Sequence, residues 1–298
     1  MKDVEEKLYW IWFSMIPNVG IKRKQLLLEK YIDPKIIFYK DKNELKSIDG
    51  IGEKIAVDIT SKDIKEKAEM RLNEYIDNNI KIISINDKEY PRMLKTIYDP
   101  PIVLFVKGNT RILKDKSIAI IGCREATEYG LKASKYFGYN LSRSGFNIVS
   151  GLARGIDSYS HIGNICAIED QKNSMELIGK PIAVVGSGLD IVYPKENKTL
   201  EKKILNMQGA IISEYPLGTK PNKMNFPARN RIISGLSKGV LVIEAKRKSG
   251  TMLTVDFALE QGRDVFVVPG NINSINSVGT NELIKQGANV VTCYDDLL

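Results

Sequence analysis

The sequence contains one histidine, His161, in 298 residues. A multi-histidine metal site is therefore excluded, and any imidazole acid–base chemistry rests on that one side chain. Cysteine is nearly as scarce: Cys123, Cys166 and Cys293 are far apart and form no C-x-x-C pair. That spacing argues against both a zinc site and a disulfide framework, and it points to a reducing compartment, the cytoplasm. No metal or other cofactor is expected. Long apolar runs are missing too. The stretch LYWIWFSMI (8–16) is too short to cross a bilayer, and it has neither a basic lead-in nor a small-residue cleavage site. No membrane partner and no signal peptide are read. The dinucleotide fingerprint G-x-G-x-x-G is absent, and the strand NIVSG (147–151) has no acidic residue at its end to hold a ribose.

What remains is an ordinary globular composition, 43% apolar and 27% charged. The length suits about two domains. The net charge of +8 is unevenly placed. Residues 1–80 carry fifteen basic and fifteen acidic side chains, whereas residues 195–248 carry twelve basic against four acidic. The second segment alone thus has a net charge as large as that of the whole chain. A cluster of one sign suggests an anionic partner, although a solvated basic face gives the same pattern.

Four apolar runs end in glycine-bearing turns close to this cluster: SIAIIGCRE (117–125), FNIVSGLARGID (146–157), PIAVVGSGLD (181–190) and GVLVIEAKRKSGT (239–251). A buried strand that feeds a glycine turn and then a helix builds an anion site. Glycine admits close backbone approach, and the helix start offers free N–H groups and the positive end of its dipole. From Ser117 onward, strand candidates at 117–121, 146–149, 181–185, 210–213, 239–243, 264–268 and 289–292 alternate with helical stretches. The helices are placed at 127–143, 156–169, 198–207, 228–236 and 252–261. Near-continuous apolar strands in this alternation predict a parallel sheet covered on both faces, with ligands at the strand C-terminal ends. Segments 80–85 and 102–108 read as further strands joining the same sheet.

Residues 1–78 read as a small all-helical domain, and residues 79–298 as the α/β domain. In the former, Asp49-Gly50-Ile51-Gly52 between apolar helical patterns resembles a helix–hairpin–helix turn, and PNVGIKRKQLL (17–27) resembles a degenerate second copy. Such a unit either touches a DNA phosphate through its hairpin amides or is a packed module that binds no DNA.

Individual residues carry paired readings. Arg124 either reaches over a bound phosphate or is a surface arginine. Asp157 is either a helix N-cap or a functional carboxylate, and His161, one turn on, is an orienting or core residue. Phe226 either stacks on a base or packs in the core. Arg229 and Arg231 beside it suit a nucleic-acid backbone. KRKSGTMLT (246–254) couples three cations to a Ser249-Gly250-Thr251 anion loop.

Taken in order between Glu89 and Cys293, these stretches resemble the DprA/Smf family of DNA-processing proteins. The matching segments are YPRML, DPPIVLFVKGN, SGLARGIDSYSH, GSGLDIVYPKEN, EYPLGTKPNKMNFPARNRIISGLS, EAKRKSGTMLTVDFALEQGRDVFVVPGN and GTNELIKQGA. The resemblance implies an α/β, extended Rossmann-like, doubly wound and mostly parallel sheet, preceded by a sterile-alpha-motif-like or helix–hairpin–helix domain. It also implies a non-enzymatic protein that binds single-stranded DNA, forms homodimers through the Rossmann-like domain, protects incoming strands and loads the RecA recombinase in natural transformation.

The implied DNA pocket uses Arg124, Lys195, Lys223, Arg229, Asn230 and Arg231 with Ser249, Gly250 and Thr251. The glycine turns add Gly122, Gly151, Arg154 and Gly155, and Phe226 adds a stacking ring. Cys123 and Ser160 stand where the family usually has serine and alanine. The winged helix that some members carry at the C-terminus is not expected here. The alternative is a nucleotide phosphoribohydrolase of the lysine-decarboxylase-like group, whose P-G-G-x-G-T-x-x-E loop ends in a catalytic glutamate. Here Thr254 takes that place and the leading Gly-Gly is missing.

Overall fold

The computed structural model describes residues 2–171 and 177–298. Six helices come first: α1 (Lys2–Met15), α2 (Ile21–Tyr31), α3 (Pro34–Phe38), α4 (Lys42–Lys46), α5 (Glu53–Thr60) and α6 (Lys62–Asp77). Their starts follow local chemistry. Asp33 caps α3 by accepting from the Lys35 amide, Asp41 and Glu44 form a capping box on α4, and the Ser61 hydroxyl caps α6. Trp12, Phe13, Leu27, Ile37 and Leu45 are fully buried among them. Trp12 meets Phe38 edge to face at 5.0 Å.

The remainder forms one nine-stranded sheet. In chain order its elements are β1 (Ile80–Ser84), α7 (Arg92–Lys95), β2 (Val103–Gly108), β3 (Ser117–Ile121), α8 (Glu128–Arg143), β4 (Asn147–Ser150), α9 (Ile156–Asp170) and β5 (Pro181–Val184). They continue with α10 (Lys198–Asn206), β6 (Ala210–Ser213), α11 (Asn225–Gly235), β7 (Gly239–Val242), α12 (Gly250–Glu260), β8 (Asp264–Val267), α13 (Val278–Lys285) and β9 (Asn289–Val290). The spatial order is β1-β2-β6-β5-β4-β3-β7-β8-β9.

From β6 to β9 every pairing is parallel, and β1 and β2 add an antiparallel ribbon on the β6 edge. The strands β3 to β7 are buried along their whole length. That burial is why they read as unbroken apolar runs rather than alternating ones. After β3 the chain winds outward through β4, β5 and β6, then crosses back by α11 to lay β7 on the other side of β3. The strand order therefore reverses between β3 and β7, where doubly wound sheets open a crevice at their C-terminal ends.

The 78/79 boundary falls between α6 and β1, but apolar packing continues across it. Tyr75 of α6 lies flat on Phe105 of β2, centroids 4.8 Å apart and planes 10° from parallel, and its hydroxyl accepts from the Leu217 amide at 3.0 Å. The cations after the first turn also contact the protein itself, Lys22 and Arg23 from exposed positions and Lys24 from a buried one. Lys22 lies over the Tyr98 ring at 4.9 Å and Arg23 donates to the Gly50 carbonyl. Lys24 is buried with its ammonium on the Ser14 carbonyl, and burial pulls its pKa down to about 8.

Candidate nucleic-acid interface

A cleft of about 620 Å³ opens at the β3/β7 reversal point. Three strand-to-helix turns and the start of α11 build it. The turn after β3 contributes Gly122 and Arg124, and the turn after β4 contributes Arg154 and, at the second position of α9, Asp157. The segment after β7 contributes Lys246, Ser249, Gly250 and Thr251, and α11 contributes Phe226, Arg229 and Asn230, with Lys223 just ahead of it. The N-termini of α9, α11 and α12 thus converge on one space. Their free amides and dipoles add positive potential to that of the five cationic side chains.

Close backbone approach holds these turns together. A side chain at Gly151 would lie 2.0 Å from Arg229 Nη1, and one at Gly155 would lie 2.3 Å from the Cys123 carbonyl. Gly155 also has φ +72°, a left-handed conformation costly for other residues. Asn230 Nδ2 donates to the Gly250 carbonyl at 3.2 Å and ties the start of α12 to α11.

The cleft floor contains a buried pair. Asp157 does not cap α9, whose N-cap is Gly155. Its carboxylate instead folds back to accept from the Gly151 amide at 3.1 Å and the Ala153 amide at 3.4 Å. Burial raises its pKa, and Arg229 opposes that shift. Arg229 is 5% exposed and donates through Nη2 to the Gly151 carbonyl at 3.1 Å. Burial pulls it down to about 10, with Asp157 opposing, so the guanidinium stays charged at neutral pH. Its Nε and the buried Ser249 hydroxyl have no hydrogen-bond partner among the described residues. Both are buried donors that the described residues leave unused.

Among the expected site residues, Gly122, Arg124, Arg154, Lys223, Phe226, Arg229, Asn230, Ser249, Gly250 and Thr251 line this cleft. Gly151 lines a narrow recess beside it, and Gly155 packs beneath the loop. Lys195 is exposed on the short 3-10 turn Lys195–Asn197, outside the cleft lining. Arg231 needs correction as a DNA contact. It is 1% exposed, with Nη1 and Nη2 each 2.6 Å from a Glu214 oxygen and Nε 3.1 Å from Asp99. Its charge is already neutralised inside the fold, which leaves it unavailable to a phosphate.

His161 is a core residue: it is fully buried, and neither ring nitrogen has a partner among the described residues. Thr254 lines the cleft and is 2% exposed, and a threonine hydroxyl cannot supply a glutamate's charge there. Gly235-Leu236-Ser237-Lys238-Gly239 spells a nucleophile-elbow pattern but runs from the end of α11 into the first residue of β7, at the opposite strand end from the cleft. Ser237 is buried and donates to the Ile233 carbonyl.

Glu244 was not singled out by sequence reasoning. It closes β7's apolar run at 1% exposure and accepts from both the amide and the hydroxyl of Thr127, the N-cap of α8. It thereby fixes the turn that carries Arg124. The only available signal was an acid ending a buried strand.

A model of the family described as DNA recombination-mediator protein A matches residues 81–298. The chain belongs to that family. It is 43% identical over 227 residues to the DNA processing protein DprA of Bacillus subtilis, covering 76% of this chain and 73% of the relative. It is 35% identical over 297 residues to protein Smf of Synechocystis, covering 98% and 72%. The structure of Streptococcus pneumoniae DprA superposes with a TM-score of 0.78 at 34% identity over 97% of this chain and 96% of that one. Helicobacter pylori DprA, solved for its single-stranded DNA binding mode, gives a TM-score of 0.63 at 30% identity over 73% and 93%. The extended, mostly parallel sheet is thus the architecture of the DprA/Smf family. Among the described residues, no helix is long and apolar enough to cross a membrane.

Proposed function

We propose that this chain binds single-stranded DNA without reading its sequence, protects it, and hands it to a RecA-type recombinase. In this reading it acts in the cytoplasm as a homodimer joined through the Rossmann-like domain. The observation that carries the DNA-binding part is the convergence of Arg124, Arg154, Lys223, Arg229 and Lys246 with three helix N-termini around the ring of Phe226. Phosphates are held by the cations and by the Ser249-Gly250-Thr251 amides. A base stacks at Phe226, against which Arg124 already lies 5.5 Å from the ring centroid. Stacking tolerates every base, so the binding is sequence-independent.

Oligo-dT binding by Arg124→Ala and Lys223→Ala tests the site. Both side chains are exposed, so thermal melting stays at the wild-type value while affinity falls. The log–log salt slope flattens by about 0.7 for each phosphate that is no longer neutralised. Wild-type affinity in both variants would remove the cleft as the DNA site. The hand-off to the recombinase is read separately, as RecA filament assembly on strands already coated by a single-strand binding protein.

A further inference from the structure

We infer that Tyr193 forms a second base-stacking slot beside the cleft, taking the nucleobase adjacent to the one held at Phe226. The inference rests on the single-strand reading above and extends it to a residue not assigned to the site. Tyr193 follows β5 on the loop that leads into the Lys195–Asn197 turn. The residue is 44% exposed, which is poorly explained by a core role. The ring lies 5.4 Å from that of Phe226, with the planes 34° apart. Phe226 therefore neighbours both the Arg124 guanidinium and Tyr193, and the two aromatic rings form one apolar shelf. A narrow recess lined by Gly151, Arg154, Tyr193, Pro194 and Phe226 runs along that shelf and shares Arg124 and Arg229 with the main cleft.

The shelf is already ordered. Asn197 Nδ2 donates to the Leu152 carbonyl at 2.8 Å and to the Ser158 hydroxyl at 2.9 Å, which pins the Tyr193 loop to the turn after β4. The Ser187 hydroxyl closes the same loop on the Ile191 carbonyl at 3.0 Å. A ring held in place before binding loses little entropy when a base covers it. Arg154, beside the ring in the same recess, supplies a cation for the phosphate of that nucleotide. The slot's ligand is thus a nucleobase recognised by its face, with no edge readout.

The experiment compares wild type, Tyr193→Ala and Tyr193→Phe on oligo-dT and on an abasic strand of the same length, each across a salt series. Removing the stacking of one aromatic lowers oligo-dT affinity about 10-fold in Tyr193→Ala. The salt slope is unchanged, because every phosphate keeps its cation, and Tyr193→Phe retains wild-type affinity. On the abasic strand the wild type and Tyr193→Ala bind alike. Wild-type oligo-dT affinity in Tyr193→Ala, a flattened salt slope, or the same weakening on abasic strands would overturn the slot while leaving the cleft in place. Absence of salt-dependent oligo-dT binding by the wild-type protein would overturn the single-strand reading itself, and the slot with it.

Discussion

Arg231 and Glu214 form a two-pronged ion pair, both contacts 2.6 Å, between the middle of α11 and the residue that follows β6. Asp99 completes the site from the segment before β2, through its carboxylate at 3.1 Å and its carbonyl at 3.0 Å. The Arg231 side chain is 2% exposed. One guanidinium therefore joins three parts of the fold, and the neighbouring carboxylates raise its pKa above the usual arginine range against the pull of burial.

Removing one partner of a buried pair leaves the others charged and uncompensated. Arg231→Ala is expected to cost about 3–5 kcal/mol of stability in urea unfolding. The signature that separates it from a DNA-contact variant is which property fails first. Arg231→Ala melts early, and under conditions where it stays folded its salt slope for oligo-dT matches wild type. A stable protein with a flattened slope would return Arg231 to the interface.

The contrast between Arg229 and Arg231 shows where the sequence stops being readable. Two helical positions apart means about 200° of rotation, so the two arginines point in opposite directions. Which one faces the cleft depends on how α11 sits against β6 and the segment before β2, and no local pattern states that. The strands are far more legible. The runs expected at 117–121 and 210–213 end where β3 and β6 end, and the others agree to within two residues. Buried parallel strands advertise themselves as apolar runs closed by glycine. Helix α11 starts three residues ahead of the expected 228, because Pro227 reads as a helix breaker yet lies in the first turn, where its missing N–H is not needed. Asp157 and Glu244 are opaque for a related reason. Their partners, the Gly151 and Ala153 amides and Thr127, are set by loop geometry rather than by spacing.

Arg154 is expected to bind DNA below its full capacity, since Glu196 is seated on its guanidinium from the Lys195–Asn197 turn. Both side chains are largely exposed, so the pair is easily exchanged for a phosphate. Glu196→Gln releases the arginine and removes a negative charge near the recess. Oligo-dT affinity rises about two- to fivefold, the scale of an exposed ion pair. Arg154→Ala made in the Glu196→Gln background abolishes that gain. Unchanged affinity in Glu196→Gln would mean that Arg154 lies off the path of the strand.

Deletion of residues 1–78 tests the proposed domain division. No residue before Ile121 lines the cleft, so the shortened chain keeps its oligo-dT binding. It also loses Tyr75, which covers fully buried Phe105 and accepts the Leu217 amide. Ile80, Ile102 and Val103 share that core with the deleted helices. Each large apolar side chain left exposed costs about 1.5–3 kcal/mol, and the melting temperature falls by the sum. Adding a Phe105→Ser substitution to the truncated chain relieves the exposed face and improves recovery at low temperature. An insoluble product in both forms would show that the α/β sheet requires the helical segment to fold.

His161 gives the protein a built-in acid sensitivity. Burial holds its pKa down at about 3, whereas an unfolded histidine titrates near 6.5. Between those two values the unfolded chain binds a proton that the native chain refuses. Stability therefore rises with pH through this window and is lost as the pH falls below about 6.5, by roughly 1.4 kcal/mol per pH unit. Carboxylates contribute their own acid dependence, so the comparison is made against His161→Leu, which removes the titration and the two ring nitrogens that lack partners. Urea melts at pH 7, 6, 5 and 4 are expected to show the wild type losing ground to the variant by about 2 kcal/mol at pH 5. Parallel curves would mean that the native protein accepts the proton at His161 as readily as the unfolded chain does, and that the imidazole has access to water or to a partner in the folded state.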